Sequence, residues 1–236
     1  DNQGNLGEQL TRRNLAEAKG PRLLPSRTYR PEMALPPEPP KAGLLLANNL
    51  GGFSADGREY VITTSDTQVT PVPWVNVLAN PNFGTVVTES GLAYTWSENA
   101  HEYRLTPWSD DPVAGGSGEV IYLRDEETGH FWSPTPLPRR PGQNNGSFTC
   151  SHGFGYSRFE HHQAGITTEL WVYVDLNETV KYSVLKIRND SNRQRRLSAT
   201  GYVEWVLGDL RSKYGMHVVT EIDASSGALF ARNAYH

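Results

Sequence analysis

Residues 80–138 read NPNFGTVVTESGLAYTWSENAHEYRLTPWSDDPVAGGSGEVIYLRDEETGHFWSPTPLP, and this stretch decides the fold class. Short runs such as Gly84–Thr88, Leu92–Trp96 and Glu119–Leu123 are cut off by Gly, Pro, Asn and Asp before they reach helical length. Period-two runs closed by turn formers predict β-strands. Trp96, Trp108 and Trp132 fall at strand ends and in Pro-rich loops, beside Asn, Asp, His and Arg. Rings next to fixed polar groups suit a sugar: the ring covers C–H faces while the polar groups read hydroxyls. Arg104 stands two residues before Thr106-Pro107-Trp108, placed to offer a fork of donors to hydroxyls or a carboxylate. Ligand binding and structural packing are both open readings of this region.

The rest of the chain extends the same pattern. Upstream, Glu59–Thr64 predicts a strand, and downstream Phe148–His152, Thr168–Asp175, Thr179–Ile187, Leu197–Val206, His217–Ile222 and Ala228–Arg232 predict more. In Thr168–Asp175, Leu170, Val172 and Val174 share one face, and Trp171 and Tyr173 the other. The links DLNE (175–178), NDSN (189–192) and DASSG (223–227) read as hairpin turns. Antiparallel sheets packed as a sandwich follow from many strands, regular turns and no long amphipathic run after residue 20. One large domain over residues 42–236 is expected, because no second linker appears. Ahead of it, residues 1–20 predict one short helix, with Leu6 and Leu10 on a shared face. Residues 21–41 carry seven prolines, which predicts an extended linker.

Bulk properties exclude several function classes. A net charge of −4 argues against a nucleic-acid surface, and the single Cys150 excludes an internal disulfide framework. No run approaches membrane-spanning length, and no leader pattern is present, so a soluble piece of a longer protein is expected. The acidic groups Glu98, Asp110-Asp111 and Asp125-Glu126-Glu127 read as solvated turn formers, and no catalytic acid is assigned. His152, His161 and His162 match no ligand spacing, since neighbours on a strand face opposite ways, so no metal is expected. Arg193–Arg196 (RQRR) reads as a solvated hairpin edge, and Cys150 as a small core residue. The Asn-x-Ser/Thr triplets at Asn145, Asn177 and Asn189 read as chance matches.

Longer segments carry a resemblance. These are NNLGGFSADGREYVIT (48–63), TPVPWVNVLANPNFG (70–84), GLAYTWSENAHEYRLTPWSDDP (91–112), GEVIYLRDEETGHFWSPTPLP (118–138), HGFGYSRFEH (152–161) and TGYVEWVLG (200–208). They resemble the glycoside phosphorylases acting on cellobiose, chitobiose and related β-glucosides (glycoside hydrolase family 94). The resemblance is strongest to the phosphorylase-like region of bacterial cyclic β-1,2-glucan synthases, and it runs from about Asn48 onward. It implies an all-β supersandwich of the galactose-mutarotase type, followed in the family by a helical linker and a catalytic (α/α)-barrel. The barrel holds the family's catalytic Asp, so this chain is expected to be catalytically silent alone and to need no cofactor. The resemblance further implies contact with β-glucan, β-1,2-linked, through Trp96, Arg104, Trp108, Asp110 and Asp111. Asp110 stands where relatives commonly have Asn, which adds a negative charge to that loop. Partners implied are the glucan, the barrel and, in some members, a second protomer. The parent is expected on the cytoplasmic side of a bacterial inner membrane. A freestanding carbohydrate-binding module and a purely structural or dimerisation domain are the alternative readings.

Overall fold

A computed structural model describes Asn5 and residues 43–108, 118–138 and 145–235. The helix expected in residues 1–20, Asn5 apart, and the linker at 21–41 lie outside the described residues. The regular secondary structure is almost entirely strand, in agreement with the all-β reading. In chain order the strands are β1 (Gly51–Phe53), β2 (Glu59–Ser65), β3 (Val75–Ala79), β4 (Phe83–Thr88), β5 (Ala93–Ser97), β6 (Glu119–Asp125) and β7 (Phe131–Trp132). Then come β8 (Ser147–Gly153), β9 (Tyr156–Gln163), β10 (Ile166–Val174), β11 (Lys181–Asn189), β12 (Leu197–Val203), β13 (Val218–Ile222) and β14 (Leu229–Asn233). One helical turn, Arg211–Tyr214, interrupts them, and no helix among the described residues is long and apolar enough to cross a membrane.

The main sheet has six antiparallel strands in the order β1-β2-β8-β9-β10-β11. The three hairpins from β8 to β11 form a meander. Its β9–β10 turn places Ala164 at φ 52° and Gly165 at φ 76°. Both central residues left-handed is the primed geometry whose twist matches flanking strands. Against the inner face of this sheet lie two three-stranded sheets, β3-β4-β5 and β12-β6-β7. The first core cluster joins Ile62, Cys150, Phe159, Leu170 and Val172 of the main sheet to Leu78, Val87 and Ala93 of the first small one. The second joins Ile166 to Leu123 and Trp132. This is the two-layer arrangement in which sheets bury their facing sides against each other; the separate hairpin β13-β14 has no fully buried residue. Cys150 is a buried core residue, as expected, and burial pushes its thiol well up.

Polar side chains lash the layers where apolar contact stops. Asn76 Nδ2 on β3 donates to the carbonyls of Gly153 (3.0 Å) and Tyr156 (2.9 Å) across the interface. Asn80 Nδ2 reaches the carbonyls of Asp175 and Glu178, both at 2.9 Å. The bonds to Gly153, Tyr156 and Asp175 satisfy partly buried main-chain groups, and the one to Glu178 lies at the exposed rim.

Three expectations need correction. NDSN at 189–192 is not a hairpin: β11 pairs with β10, whereas β12 pairs with β6, so the chain crosses between layers there. The RQRR run is not a solvated edge throughout, because the Arg195 side chain is only 3% exposed. Nor is Asp125 a solvated turn former: it is fully buried and paired with Arg195. All three meet at one ion pair: Arg195 joins Asp125 at the end of β6, where the chain has left the edge of the main sheet to pair as β12 with β6.

His161 faces inward on β9 and His162 outward, as alternation requires. His161 lies between the Ser147 carbonyl (3.0 Å) and the Gln163 side-chain amide (2.9 Å) and stacks on Phe148 at 3.8 Å. His152 sits between Ser157 Oγ (2.9 Å) and the Trp74 carbonyl (3.1 Å). Burial lowers the pKa of both rings below the ordinary histidine value. The unfolded chain therefore takes up protons that the native state refuses. Stability is fully present above the unfolded histidine pKa and is lost as pH falls from about 6.5 toward the folded values. Glu89, whose carboxyl is pushed up by burial against bonds from Thr70 and Trp74, acts with the opposite sign. With two histidines against one carboxyl, unfolding free energy should decline by about 1–2 kcal/mol between pH 6.5 and 5.5. Urea midpoints taken at pH 7.5, 6.5 and 5.5 test this; equal midpoints would refute it.

Candidate functional site

The site grows from β5. Its Ala93 and Thr95 face the core, so Tyr94 and Trp96 stand on the opposite face of the β3-β4-β5 sheet. Trp96 lies flat across Gly84 of β4: a Cβ at Gly84 would come within 2.3 Å of the indole. Only glycine permits so close an approach of ring to backbone. The Tyr94 ring is 5.4 Å from Trp96, tilted 38°, and 5.2 Å from Trp108, tilted 50°. The Arg104 guanidinium sits 5.6 Å from the Tyr94 ring centre, with its Nε donating to the Ala100 carbonyl at 3.1 Å. Three of the five expected residues, Trp96, Arg104 and Trp108, thus converge around Tyr94. Asp110 and Asp111 lie outside the described residues. Trp132 does not join them: it is 4% exposed and belongs to the second core cluster.

After β5 the chain turns through 98–103, where Asn99 Oδ1 accepts from the amides of His101 and Glu102. It returns as an extended arm. Leu105 N donates to the Thr95 carbonyl at 2.8 Å, and Val206 N to the Leu105 carbonyl at 2.8 Å. Arg104 and Gly208 exchange both backbone bonds, at 3.2 and 3.0 Å. These main-chain bonds bring the segment after β12 alongside the arm. Between them opens a pocket of about 730 Å³, whose walls include Arg104, Pro107, Trp108, Glu204, Trp205 and Arg211. Asp209 lines it as well. Two further glycines shape it: a Cβ at Gly118 would lie 2.5 Å from Pro107, and one at Gly208 2.3 Å from Tyr214.

The half of the pocket contributed by Glu204, Trp205, Asp209 and Arg211 is absent from the sequence-based site. The expected strand runs to Val206, yet ladder pairing ends at Val203, and the following residues bend away to meet Arg104. The motif TGYVEWVLG does contain a signal, an indole next to a carboxylate. Arg211 and Glu204 form an ion pair at 2.5 Å, and Lys213 and Asp209 one at 3.4 Å. The pocket therefore sets charges of both signs around two indoles.

Beneath the arm lies a buried polar network. Glu119 Oε1 accepts from Thr95 Oγ1 at 2.7 Å and from Thr106 Oγ1 at 2.6 Å, while its Oε2 pairs with Lys181 Nζ. Lys181 also donates to Thr85 Oγ1 at 3.1 Å and Thr95 Oγ1 at 3.3 Å. Thr106 Oγ1 in turn accepts the Thr95 amide at 2.8 Å. Burial disfavours charge on Glu119, but Lys181 and the two hydroxyls outweigh it and hold the carboxyl below its usual range.

Among the described residues no group of three or more His, Cys, Asp or Glu is placed to hold a metal ion. The pocket offers ring faces, cationic donors and carboxylate acceptors.

Comparison with known proteins agrees with the family read from the motifs. The family model described as glycosyl hydrolase 94, supersandwich domain, matches residues 58–236. Cyclic beta-(1,2)-glucan synthase NdvB of Rhizobium meliloti (strain 1021) is 41% identical over 189 residues, covering 80% of this chain and 7% of that protein. N,N'-diacetylchitobiose phosphorylase of Vibrio furnissii is 32% identical over 176 residues, covering 75% of this chain and 22% of that protein. Solabiose phosphorylase of Paenibacillus borealis is 29% identical over 191 residues, covering 78% of this chain and 24% of that protein. The match thus takes in less than a quarter of each of these relatives.

Proposed function

The chain belongs to the glycosyl hydrolase 94 family, as its supersandwich domain, and from that premise we propose that it is the accessory lobe of a glucan-processing enzyme. In this reading the lobe packs on a catalytic (α/α)-barrel elsewhere in the longer protein and forms one wall of a β-1,2-glucan site. The barrel supplies the general acid, and phosphate is the nucleophile of a phosphorolytic or chain-trimming step. The parent enzyme works at the cytoplasmic side of a bacterial inner membrane.

The observation that carries the reading is Trp108 and Trp205 on one open pocket with Arg104. Indole faces stack on the C–H faces of glucose units, and the Arg104 fork reads hydroxyls at their edge. Glu204 and Asp209 supply acceptors for the same hydroxyls, and in this reading Asp110 and Asp111 contact glucan as well. The similarity to a cyclic glucan synthase favours the β-1,2 linkage over others.

A freestanding binding module is the second reading, favoured because both indole walls belong to this one chain. One titration separates the two. Linear and cyclic β-1,2-glucans are added to the 236-residue chain while tryptophan fluorescence and heat are followed. Saturable binding by the chain alone supports the module. Silence up to millimolar glucan, with binding by the full-length parent, supports the accessory lobe. In whichever protein binds, Trp108→Ala should weaken affinity at least about tenfold, the usual cost of truncating an aromatic anchor. An unchanged affinity with the fold intact would remove Trp108 from the site.

A further inference from the structure

The buried Glu119–Lys181 pair is an odd way to fill a core. Taking two charges out of water costs more than apolar packing of the same space, so stability alone does not explain it. Its connections do have a direction. Lys181 reaches in from β11 at the edge of the main sheet, Thr85 and Thr95 belong to β4 and β5, and Glu119 begins β6. All three sheets meet at this one pair. Beyond it stands Thr106, 2% exposed, one residue before Pro107-Trp108 and two after Arg104.

The chemistry is one-way. An ionised carboxylate only accepts, so both threonine hydroxyls must point their protons at Glu119 Oε1. With its proton committed, Thr106 Oγ1 has only lone pairs to offer, and the Thr95 amide takes one at 2.8 Å. Main-chain bonds already lay the arm beside β5; an apolar filler would add no directional constraint to them, whereas this chain of side-chain bonds permits one setting of Thr106 and the residues beside it. That setting places the Trp108 ring 5.2 Å and the Arg104 guanidinium 5.6 Å from the Tyr94 ring centre.

We propose that Glu119, with Lys181 as its counter-ion and Thr106 as its link, is the positioning residue of the aromatic arm. It touches no ligand itself, and its task is to fix Arg104 and Trp108 relative to Tyr94 and the pocket. The glucan consequence rests on the function proposed above; the positioning role does not.

The test uses the 236-residue chain and three variants. Glu119→Leu/Lys181→Met replaces the pair by apolar volume, Thr106→Val cuts only the link, and Thr106→Ser keeps the hydroxyl. Far-ultraviolet dichroism and a cooperative thermal transition establish folding. Near-ultraviolet dichroism and acrylamide quenching then report the Tyr94–Trp108 contact. The expected result is a folded Thr106→Val that loses the near-ultraviolet aromatic band and quenches more readily, with Thr106→Ser restoring both. The double variant should behave like Thr106→Val; if it does not fold, the Thr106 variants decide alone. Wild-type dichroism and quenching in Thr106→Val would overturn the proposal. Where the wild type binds linear β-1,2-glucan, Thr106→Val should bind about tenfold more weakly, as for a displaced anchor. Absence of glucan binding by both the wild-type chain and its full-length parent counts against the proposed function, while the dichroism and quenching still decide the positioning role.

Discussion

Replacing Arg195 by alanine will cost the fold about 3–5 kcal/mol, the penalty for stripping the partner from a buried charge. The two side chains are 3% and 1% exposed, and both Nε (2.9 Å) and Nη2 (2.5 Å) of Arg195 donate to Asp125 Oδ2. Arg195 Nη1 also donates to the Ala164 carbonyl at 2.6 Å, tying the β9–β10 turn to the same point. Asp125 Oδ1 meanwhile accepts the amides of Glu127 and Thr128. Burial would raise the Asp125 pKa, yet these amides and Arg195 hold it below the ordinary value, so the carboxylate stays charged at neutral pH. Without Arg195 that charge keeps only the half-exposed Arg193 guanidinium, at 3.9 Å, which makes no hydrogen bond to it at that distance. For a chain of this size the melting temperature should fall by roughly 10 °C. Urea denaturation of wild type, Arg195→Ala and Arg195→Ala/Asp125→Ala will show the single variant as the least stable. A loss under about 1 kcal/mol, the range of an exposed pair, would mean the pair is solvated after all.

The second large loss will come from Phe159→Ala. Phe159 is 1% exposed at the centre of the main sheet, opposite Cys150 on β8 and Leu170 on β10. Removing a ring from the first core cluster forfeits its transfer free energy and leaves a cavity that packed sheets cannot close, about 3–5 kcal/mol in all. Phe159→Leu, which keeps most of the volume, should cost under about 2 kcal/mol. Both are read from urea midpoints at unchanged slope. Equal losses for Ala and Leu would point to ring-specific contacts rather than filled volume.

How far the fold is legible in the sequence depends on where each interaction lies along the chain. Thr168–Asp175 is legible because its alternation is local: Leu170 and Val172 are buried, and Trp171 and Tyr173 face the other way. The strand Tyr156–Gln163 escapes a sequence reading for an equally local reason. Its inward set is Ser157, Phe159 and His161, so the apolar signal is diluted by a hydroxyl and an imidazole whose partners come from elsewhere. Val75–Ala79 hides differently, with Val75 and Val77 outward and Asn76 and Leu78 inward, an inverted pattern. The candidate site divides the same way. Trp96, Arg104 and Trp108 lie within one short segment and can be picked out together. Glu204, Trp205, Asp209 and Arg211 join them through the Arg104–Gly208 bridge, which no local pattern announces. Asp125 and Arg195 are likewise ordinary charges until the register of β6 and β12 brings them together.

The Arg104–Gly208 bridge has a consequence for how such a lobe changes over generations. The arm and the segment after β12 are joined by amides and carbonyls, at Arg104, Leu105, Val206 and Gly208, and not by the side chains that line the pocket. Backbone pairing is indifferent to which side chain each residue carries. Substitutions at positions 108, 205, 209 or 211 can therefore alter the shape and charge of the pocket while the two segments stay joined. Pocket lining and foldability are inherited here as nearly separate traits, and selection can act on the first without first having to repair the second.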